Sequence, residues 1–232
     1  MSEHSSPADN RAAAGGAGRV RLRVALPVLA AAAAVGIATG AALTLFRHSS
    51  PGSSSSGTAG AAVESWAAGV RPAPAFALRD QAGRAVSLAA LHGKPAIITF
   101  LDPLCRNVCP LEAQVLSRAV ASIPAGKRPE VIAISVNRWG NARANLVEDV
   151  HRWRLAANWR WAVGDPAALA ATWQRYGIGV QVTTKTIAGV QVHEITHTLA
   201  SFLVDGTGHE RALFVWPFAE PELERAITAL RT

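Results

Sequence analysis

From about residue 75 onward, short apolar runs typical of strands alternate with longer segments that have the pattern of amphipathic helices. The predicted strands are 76–80, 85–88, 96–101, 131–136, 159–163, 199–204 and 212–215, and the predicted helices are 110–121, 142–153, 167–176 and 221–230. Strands and helices that alternate in this way form a sheet covered by helices. The sequence therefore predicts an α/β domain with a mixed central sheet, which ends in a hairpin and a C-terminal helix.

An uncharged segment, from Val24 to Phe46, precedes this domain. As a helix it would be roughly 34 Å long, which is enough to cross a hydrocarbon core of about 30 Å. Arg19, Arg21 and Arg23 precede the segment and only Arg47 follows it closely, so the positive-inside rule places the N-terminus in the cytoplasm. We predict an uncleaved signal anchor. The alternative is a cleaved signal peptide, whose apolar stretch is shorter, about 7–15 residues.

The chain is thus predicted to have four parts. Residues 1–23 form a cytoplasmic tail without pattern, 24–46 the transmembrane helix, 47–74 a flexible linker rich in Ser, Gly and Ala, and 75–232 the folded domain. The linker would hold the domain at the outer face of a bacterial-type plasma membrane, at a raised effective concentration for a membrane-embedded partner. Five arginines near the N-terminus supply much of the net charge of +7, and the remaining positive charges are scattered without a basic helix face. This distribution argues against a nucleic-acid partner.

The chain has two cysteines, Cys105 and Cys109, and both lie between the predicted strand 96–101 and the next predicted helix. Pro110 suits the first helical position, so Cys109 is predicted at the helix N-cap, where the helix dipole favours the thiolate. Cys105 would lie in the preceding loop. From there it can form a reversible disulfide with Cys109 or open to hold a soft metal ion, and the spacing allows both.

A soft ion bound by two thiolates needs a third ligand, and Met1 is the only methionine, so an imidazole is required. His193 and His197 lie just before the predicted strand 199–204 and, in an extended chain, would face the same side. The role of His193 stays open. The remaining histidines are predicted at the surface or near the N-terminus: His4, His48, His92, His151 and His209.

Together these features resemble the Sco/SenC copper proteins, over about residues 75–231. The resemblance is carried by the Cys105-x-x-x-Cys109-Pro110 motif after a strand, by Gly93-Lys94-Pro95 before that strand, and by His197 ahead of Asp205-Gly206. It implies a thioredoxin-like domain in which Cys105, Cys109 and His197 bind copper as Cu(I) or Cu(II). It also implies a role in assembling the copper site of cytochrome c oxidase, by copper delivery or by reduction of the target's cysteines.

The chain departs from the family's pattern near this motif. The residues between the cysteines are often Pro-Asp-Val in the family and are Arg106-Asn107-Val108 here. Thr196 stands where an Asp usually precedes the metal histidine, and Asn137 stands where an Asp often follows a strand. The ligands are unchanged, so the substitutions bear on copper affinity and partner choice. Arg106 is expected to favour the thiolate form of a neighbouring cysteine and an anionic partner.

Other functions remain open for the same two cysteines. A thiol–disulfide oxidoreductase could use Cys105 and Cys109 as a redox-active pair without metal, although thioredoxin-like oxidoreductases normally have a two-residue spacer and a cis-proline facing it. The three-residue spacer and the facing histidine favour metal. The third alternative is a static disulfide in an exported binding module. If the thiols are functional, we expect the loss of both to cost the fold little.

Overall fold

The computed structural model describes residues 62–91 and 93–230. The predicted tail, the uncharged segment 24–46 and most of the linker lie outside the described residues, so those domain boundaries stay predictions. In the part of the chain that the structure describes, every helix is too short or too polar to span a bilayer.

Strands and helices alternate as the sequence indicates. The strands are β1 Glu64–Ser65, β2 Leu78–Asp80, β3 Ala85–Val86, β4 Ala96–Leu101, β5 Glu130–Ser135, β6 Trp159–Val163, β7 Val180–Ile187, β8 Val190–His197, β9 Ala200–Val204 and β10 Glu210–Val215. The helices are α1 Val108–Ser122, α2 Arg143–Arg152, α3 Pro166–Arg175 and α4 Glu220–Ala229. Within the described residues, one mixed sheet has the strand order β1-β10-β9-β4-β5-β6-β2-β3, and β7 and β8 form a separate hairpin.

The pairing of the central strands determines which loops lie next to each other at the edge of the sheet. β4 runs parallel to β5 and antiparallel to β9, with Thr99 opposite Ser201. The carboxyl end of β4 therefore lies beside the amino end of β9. As a result, the cysteine loop that follows β4 and the histidine segment that precedes β9 reach the same edge of the sheet.

Helices cover both faces of the sheet and bury two apolar clusters. One face packs against α1, α2 and α4, and its cluster includes three tryptophans, Trp153, Trp159 and Trp161. The Trp161 ring meets the Trp153 and Trp159 rings edge to face, with centroids 5.8 and 6.2 Å apart. The other face packs against α3 around Phe100, Tyr176 and Phe202. Trp153, Trp159 and Trp161 therefore serve to pack the core.

The predicted α/β domain with a mixed sheet is confirmed, and most predicted elements lie within one or two residues of the observed ones. The β7–β8 hairpin is not predicted by the sequence pattern, which indicates only an extended chain around His193 and His197. Most of its residues are exposed, so it has no continuous buried apolar face to mark it. Its turn also lacks the strong Asn-Gly signal: Ala188 and Gly189 adopt the required positive φ angles of 50° and 81°.

Candidate functional site

The three residues singled out by the sequence line one cleft of about 290 Å³. Cys105 lies in the loop after β4, Cys109 in the first turn of α1, and His197 at the end of β8. The loop is held by Asp102, whose Oδ1 accepts hydrogen bonds from the Leu104 amide at 2.7 Å and from Asn137 Nδ2 at 2.9 Å. The fold therefore brings together segments that lie far apart in the chain.

Helix α1 begins earlier than the sequence predicts. Asn107 is the N-cap, and its side-chain oxygen accepts a hydrogen bond from the Val108 amide at 2.8 Å. The prediction that Cys109 is the N-cap is therefore wrong. Asparagine is among the strongest N-cap residues, and Pro110 is tolerated within the first turn because amides there have no acceptor within the helix. Cys109 consequently points into the core and is fully buried.

The two thiols differ in ionisation. A hydrogen bond with the Cys109 thiol, aided by the backbone amides of residues 107–109 and opposed by burial, lowers the pKa of Cys105 to about 5. The same hydrogen bond, together with burial, raises the pKa of Cys109 far above its usual range. Cys105 is thus the more readily ionised of the two thiols and Cys109 the one that keeps its proton. While Cys105 is protonated, its Sγ donates to Asn107 Oδ1 at 2.9 Å. The prediction that Cys109 is the favoured thiolate is wrong, because that residue lies inside the core.

The imidazole of His197 is oriented as a metal ligand requires. Its Nδ1 lies 3.0 Å from the carbonyl oxygen of Thr198. A carbonyl oxygen can only accept, so Nδ1 carries the proton and Nε2 keeps its lone pair. That Nε2 lies 3.6 Å from Cys109 Sγ. Burial lowers the pKa of His197, which favours the neutral imidazole that binds metals.

The donor set fits a soft ion. Sulfur and imidazole ligands lie about 2.3 and 2.0–2.1 Å from an ion such as zinc in tetrahedral sites. Two such ligands of one ion are then separated by about 3.6 Å, which matches the distance between Cys109 Sγ and His197 Nε2. In the described segments, no three His, Cys, Asp or Glu side chains already converge as a complete metal site. Cys105 lines the same cleft from its loop.

His193 lies on the same face of β8 as His197 but has different neighbours. Its ring stacks on the Trp139 ring with centroids 3.8 Å apart, and its Nδ1 lies 2.9 Å from Thr184 Oγ1. It does not line the cleft. Of the other histidines, His151 is exposed and His209 contacts the hydroxyl of Thr207, while His4, His48 and His92 lie outside the described residues.

Sequence reasoning missed two interactions that hold the cysteine loop. Asp102 bonds to Asn137, a pairing that no sequence pattern reveals. Arg106 does not contact a thiol: its Nη1 donates to the carbonyl oxygens of Pro103 and Cys105 and lies 3.7 Å from Asp149 Oδ1 on α2. Arg106 therefore ties the loop to α2, and its proximity to the cysteines in sequence gave no indication of that.

The pKa difference predicts selective alkylation of the reduced protein. We expect iodoacetamide to modify Cys105 with a rate that rises with pH around a midpoint near 5, because the thiolate is the nucleophile. A thiol with an ordinary pKa of about 8.5 would show its midpoint there instead. Cys109 should stay unmodified in the folded protein. Peptide mapping by mass spectrometry at a series of pH values checks both statements, and equal labelling of the two cysteines would contradict them.

The burial of Cys109 also revises the expected cost of losing the thiols. Cys105→Ala should change the free energy of unfolding by less than about 0.5 kcal/mol, as for most substitutions outside the core. Cys109→Ala should cost about 1 kcal/mol, since it removes a buried group of roughly methylene size or larger. Urea denaturation of the two variants checks this difference. Global unfolding of either variant would indicate that the cysteines serve the structure.

Comparisons with known proteins give the family and the fold of the chain. The SCO1/SenC family is the one whose sequence model matches the chain, over residues 68–230. Copper-bound ScoI of Arabidopsis thaliana superposes with a TM-score of 0.60 at 18% identity, covering 68% of this chain and 96% of its own. Copper-bound ScoI of Bradyrhizobium japonicum has a TM-score of 0.56 at 24% identity and covers 69% and 98%.

A further solved structure is that of BsSco. It is described as having a disulfide switch and as a member of the Sco family of cytochrome c oxidase assembly proteins, and it has a TM-score of 0.54 at 18% identity, covering 69% of this chain and 93% of its own. No curated protein matches the chain. At these identities the solved structures establish the shared thioredoxin-like fold.

Proposed function

Because this chain belongs to the SCO1/SenC family, we propose that it binds copper through Cys105, Cys109 and His197 and takes part in assembling the copper site of a cytochrome c oxidase. The observation that carries the proposal is the orientation of His197: its protonated Nδ1 is held by Thr198, and its free Nε2 lies 3.6 Å from Cys109 Sγ. The copper-bound ScoI structures and the description of BsSco support the choice of metal and of process.

The residues would act in a defined order. Cys105 is the more accessible thiol and is already ionised, so it offers the first ligand without losing a proton. Cys109 must release its proton as the ion enters, so binding is coupled to proton release. The neutral His197 completes the set. Two thiolates select Cu(I), and an added imidazole supports Cu(II), so the same residues can hold either oxidation state.

We further propose that the domain is anchored at the outer face of the plasma membrane. The support is the uncharged segment 24–46 with Arg19, Arg21 and Arg23 before it. The partner would be the copper-binding subunit of the oxidase in the same membrane, or another copper or thiol protein at its surface. The linker 47–74 gives the domain the reach to meet such a partner.

Anaerobic titration of the reduced full-length protein with Cu(I), against a competing chelator, tests the proposal. We expect one tightly bound equivalent in the wild type. Cys105→Ser and Cys109→Ser should each weaken binding by at least about a hundredfold, more than the loss of a group that only supports a ligand. Cu(I) binding that survives both single substitutions would overturn the proposal, since the ion would then be held elsewhere.

A further inference from the structure

Glu112 is a fully buried acidic residue that the proposed copper site does not use. It lies on α1 one turn after Cys109, and its Oε1 is 3.1 Å from Thr99 Oγ1 and 2.9 Å from Ser201 Oγ. The two hydroxyl oxygens are in turn 3.0 Å apart. The three side chains therefore form a closed triangle of hydrogen-bonding oxygens between α1, β4 and β9. The second carboxyl oxygen, Oε2, has no hydrogen-bond partner among the described residues.

The number of protons available decides the state of this triangle. Each hydroxyl group has one proton to donate, and an ionised carboxylate has none. With Glu112 ionised, two protons would serve three contacts, and one pair of oxygens would lie at hydrogen-bonding distance without a hydrogen between them. A protonated Glu112 supplies the third proton. Each of the three oxygens then donates once and accepts once, and every contact in the triangle is satisfied.

The surroundings of Glu112 also favour the protonated form. The groups that face it are the hydroxyls of Thr99 from β4 and Ser201 from β9, and no ion pair of the described residues includes it. An unpaired, buried Oε2 is less costly as part of a neutral carboxyl group than as part of a carboxylate. Burial raises the pKa of Glu112 to about 7, with the two hydroxyl groups acting in the opposite direction.

The triangle joins the three segments that deliver the site residues. Thr99 is near the end of β4, which leads into the loop of Cys105; Ser201 is near the start of β9, just after His197. Resting on the proposed copper function, we propose that Glu112 is a positioning residue: as a neutral acid closing the Thr99–Ser201–Glu112 triangle, it fixes the N-terminal part of α1 against β4 and β9. This contact holds Cys109 and His197 at the separation that an ion requires.

Copper affinity of the full-length protein provides the first test. Glu112→Ala and Ser201→Ala should each weaken Cu(I) binding by about ten- to a hundredfold, as is usual when the support of a metal ligand is removed. Glu112→Gln keeps a neutral group that can both donate and accept a hydrogen bond. Its copper affinity should therefore stay within about threefold of the wild type, a much smaller change than the loss expected for the alanine variants. Ser201→Ala provides the test should Glu112→Ala fail to fold.

Ser117→Ala is the matched control. Ser117 is buried on the same helix, and its hydroxyl oxygen accepts a hydrogen bond from the Ala156 amide at 3.1 Å, away from β4 and β9. We expect this variant to lose stability without losing copper affinity. If Ser117→Ala and Ser201→Ala weaken copper binding equally, or if neither Ser201→Ala nor Glu112→Ala changes it, the positioning role is refuted.

Infrared difference spectroscopy of the copper-free protein tests the protonation state independently. At pH 6, the wild type minus Glu112→Gln spectrum should contain the C=O stretch of a protonated carboxyl group. Absence of this band would overturn the neutral-acid triangle even if copper binds normally. If the wild type fails to bind copper, the proposed function is refuted, and the positioning of copper ligands by Glu112 is refuted with it. If the band is present in that case, the neutral-acid triangle itself is still confirmed.

Discussion

Replacing His197 by alanine is expected to weaken Cu(I) binding by at least about a hundredfold, because it would remove the proposed nitrogen ligand itself and not merely its support. In the structure, the Nε2 lone pair faces Cys109 Sγ at 3.6 Å, and the ring is held in that tautomer by the Thr198 carbonyl. In the variant only the two proposed sulfur ligands would remain, and two donors hold a soft ion less tightly than three. The measurement is competition with a Cu(I) chelator under anaerobic conditions.

His193→Ala is the matched control for this prediction. His193 lies on the same face of the same strand, but it stacks on Trp139 and does not line the cleft. We expect the copper affinity of the His193→Ala variant to stay within about threefold of the wild type. The loss of a ligand, or of a residue that supports a ligand, would lower the affinity much more. Equal losses for the two variants would point to disturbance of the hairpin. Copper binding unaffected by His197→Ala would favour the metal-free thiol–disulfide oxidoreductase that uses the same cysteines.

Trp161→Ala is expected to lower the free energy of unfolding by about 3–5 kcal/mol, the usual cost of emptying a large buried aromatic site. Trp161 is fully buried on β6 and packs edge to face against Trp153 and Trp159. Its removal leaves a cavity beneath the middle of the sheet that rigid neighbouring strands cannot close. Urea denaturation, with the change in midpoint read at constant slope, measures the loss.

Two further variants serve as controls, one at position 161 and one at the exposed Trp139. Trp161→Phe removes an indole N–H that has no hydrogen-bond partner among the described residues, so it should cost less than about 2 kcal/mol despite the smaller ring. Trp139→Ala removes an exposed ring and should cost about 1 kcal/mol or less. A loss for Trp139→Ala as large as that for Trp161→Ala would contradict the assignment of the core.

The sequence predicted the sheet and helices well because its apolar runs are long and buried. β4 is buried at every position, so its six residues read as one uninterrupted strand. The distance between Cys109 and His197 could not be predicted from such runs, because the two residues lie 88 positions apart in the chain. They meet only because β9 pairs antiparallel with β4. No local pattern specifies which strand will be the neighbour of another.

The ionisation of the thiols shows how a small shift in an element changes chemistry. Placing the helix start at Pro110 put Cys109 at the cap, whereas Asn107 takes that position in the structure. The difference moves Cys109 from the exposed end of the helix into the core and leaves Cys105 as the group that the helix amides stabilise. Helix ends are set by local competition between capping residues, which sequence patterns resolve less well than the elements themselves.

The hairpin of β7 and β8 pairs with no strand of the main sheet, and most of its residues are exposed. Segments with few buried contacts and solvent-exposed backbone hydrogen bonds open at a lower free-energy cost than the core does. The proposed imidazole ligand, His197, therefore belongs to the hairpin, whereas Cys105 and Cys109 belong to the loop and helix that pack on the main sheet. If the proposed ligand set holds an ion, exchange with an acceptor would begin with the departure of His197, and hairpin opening would contribute to the lifetime of the bound ion.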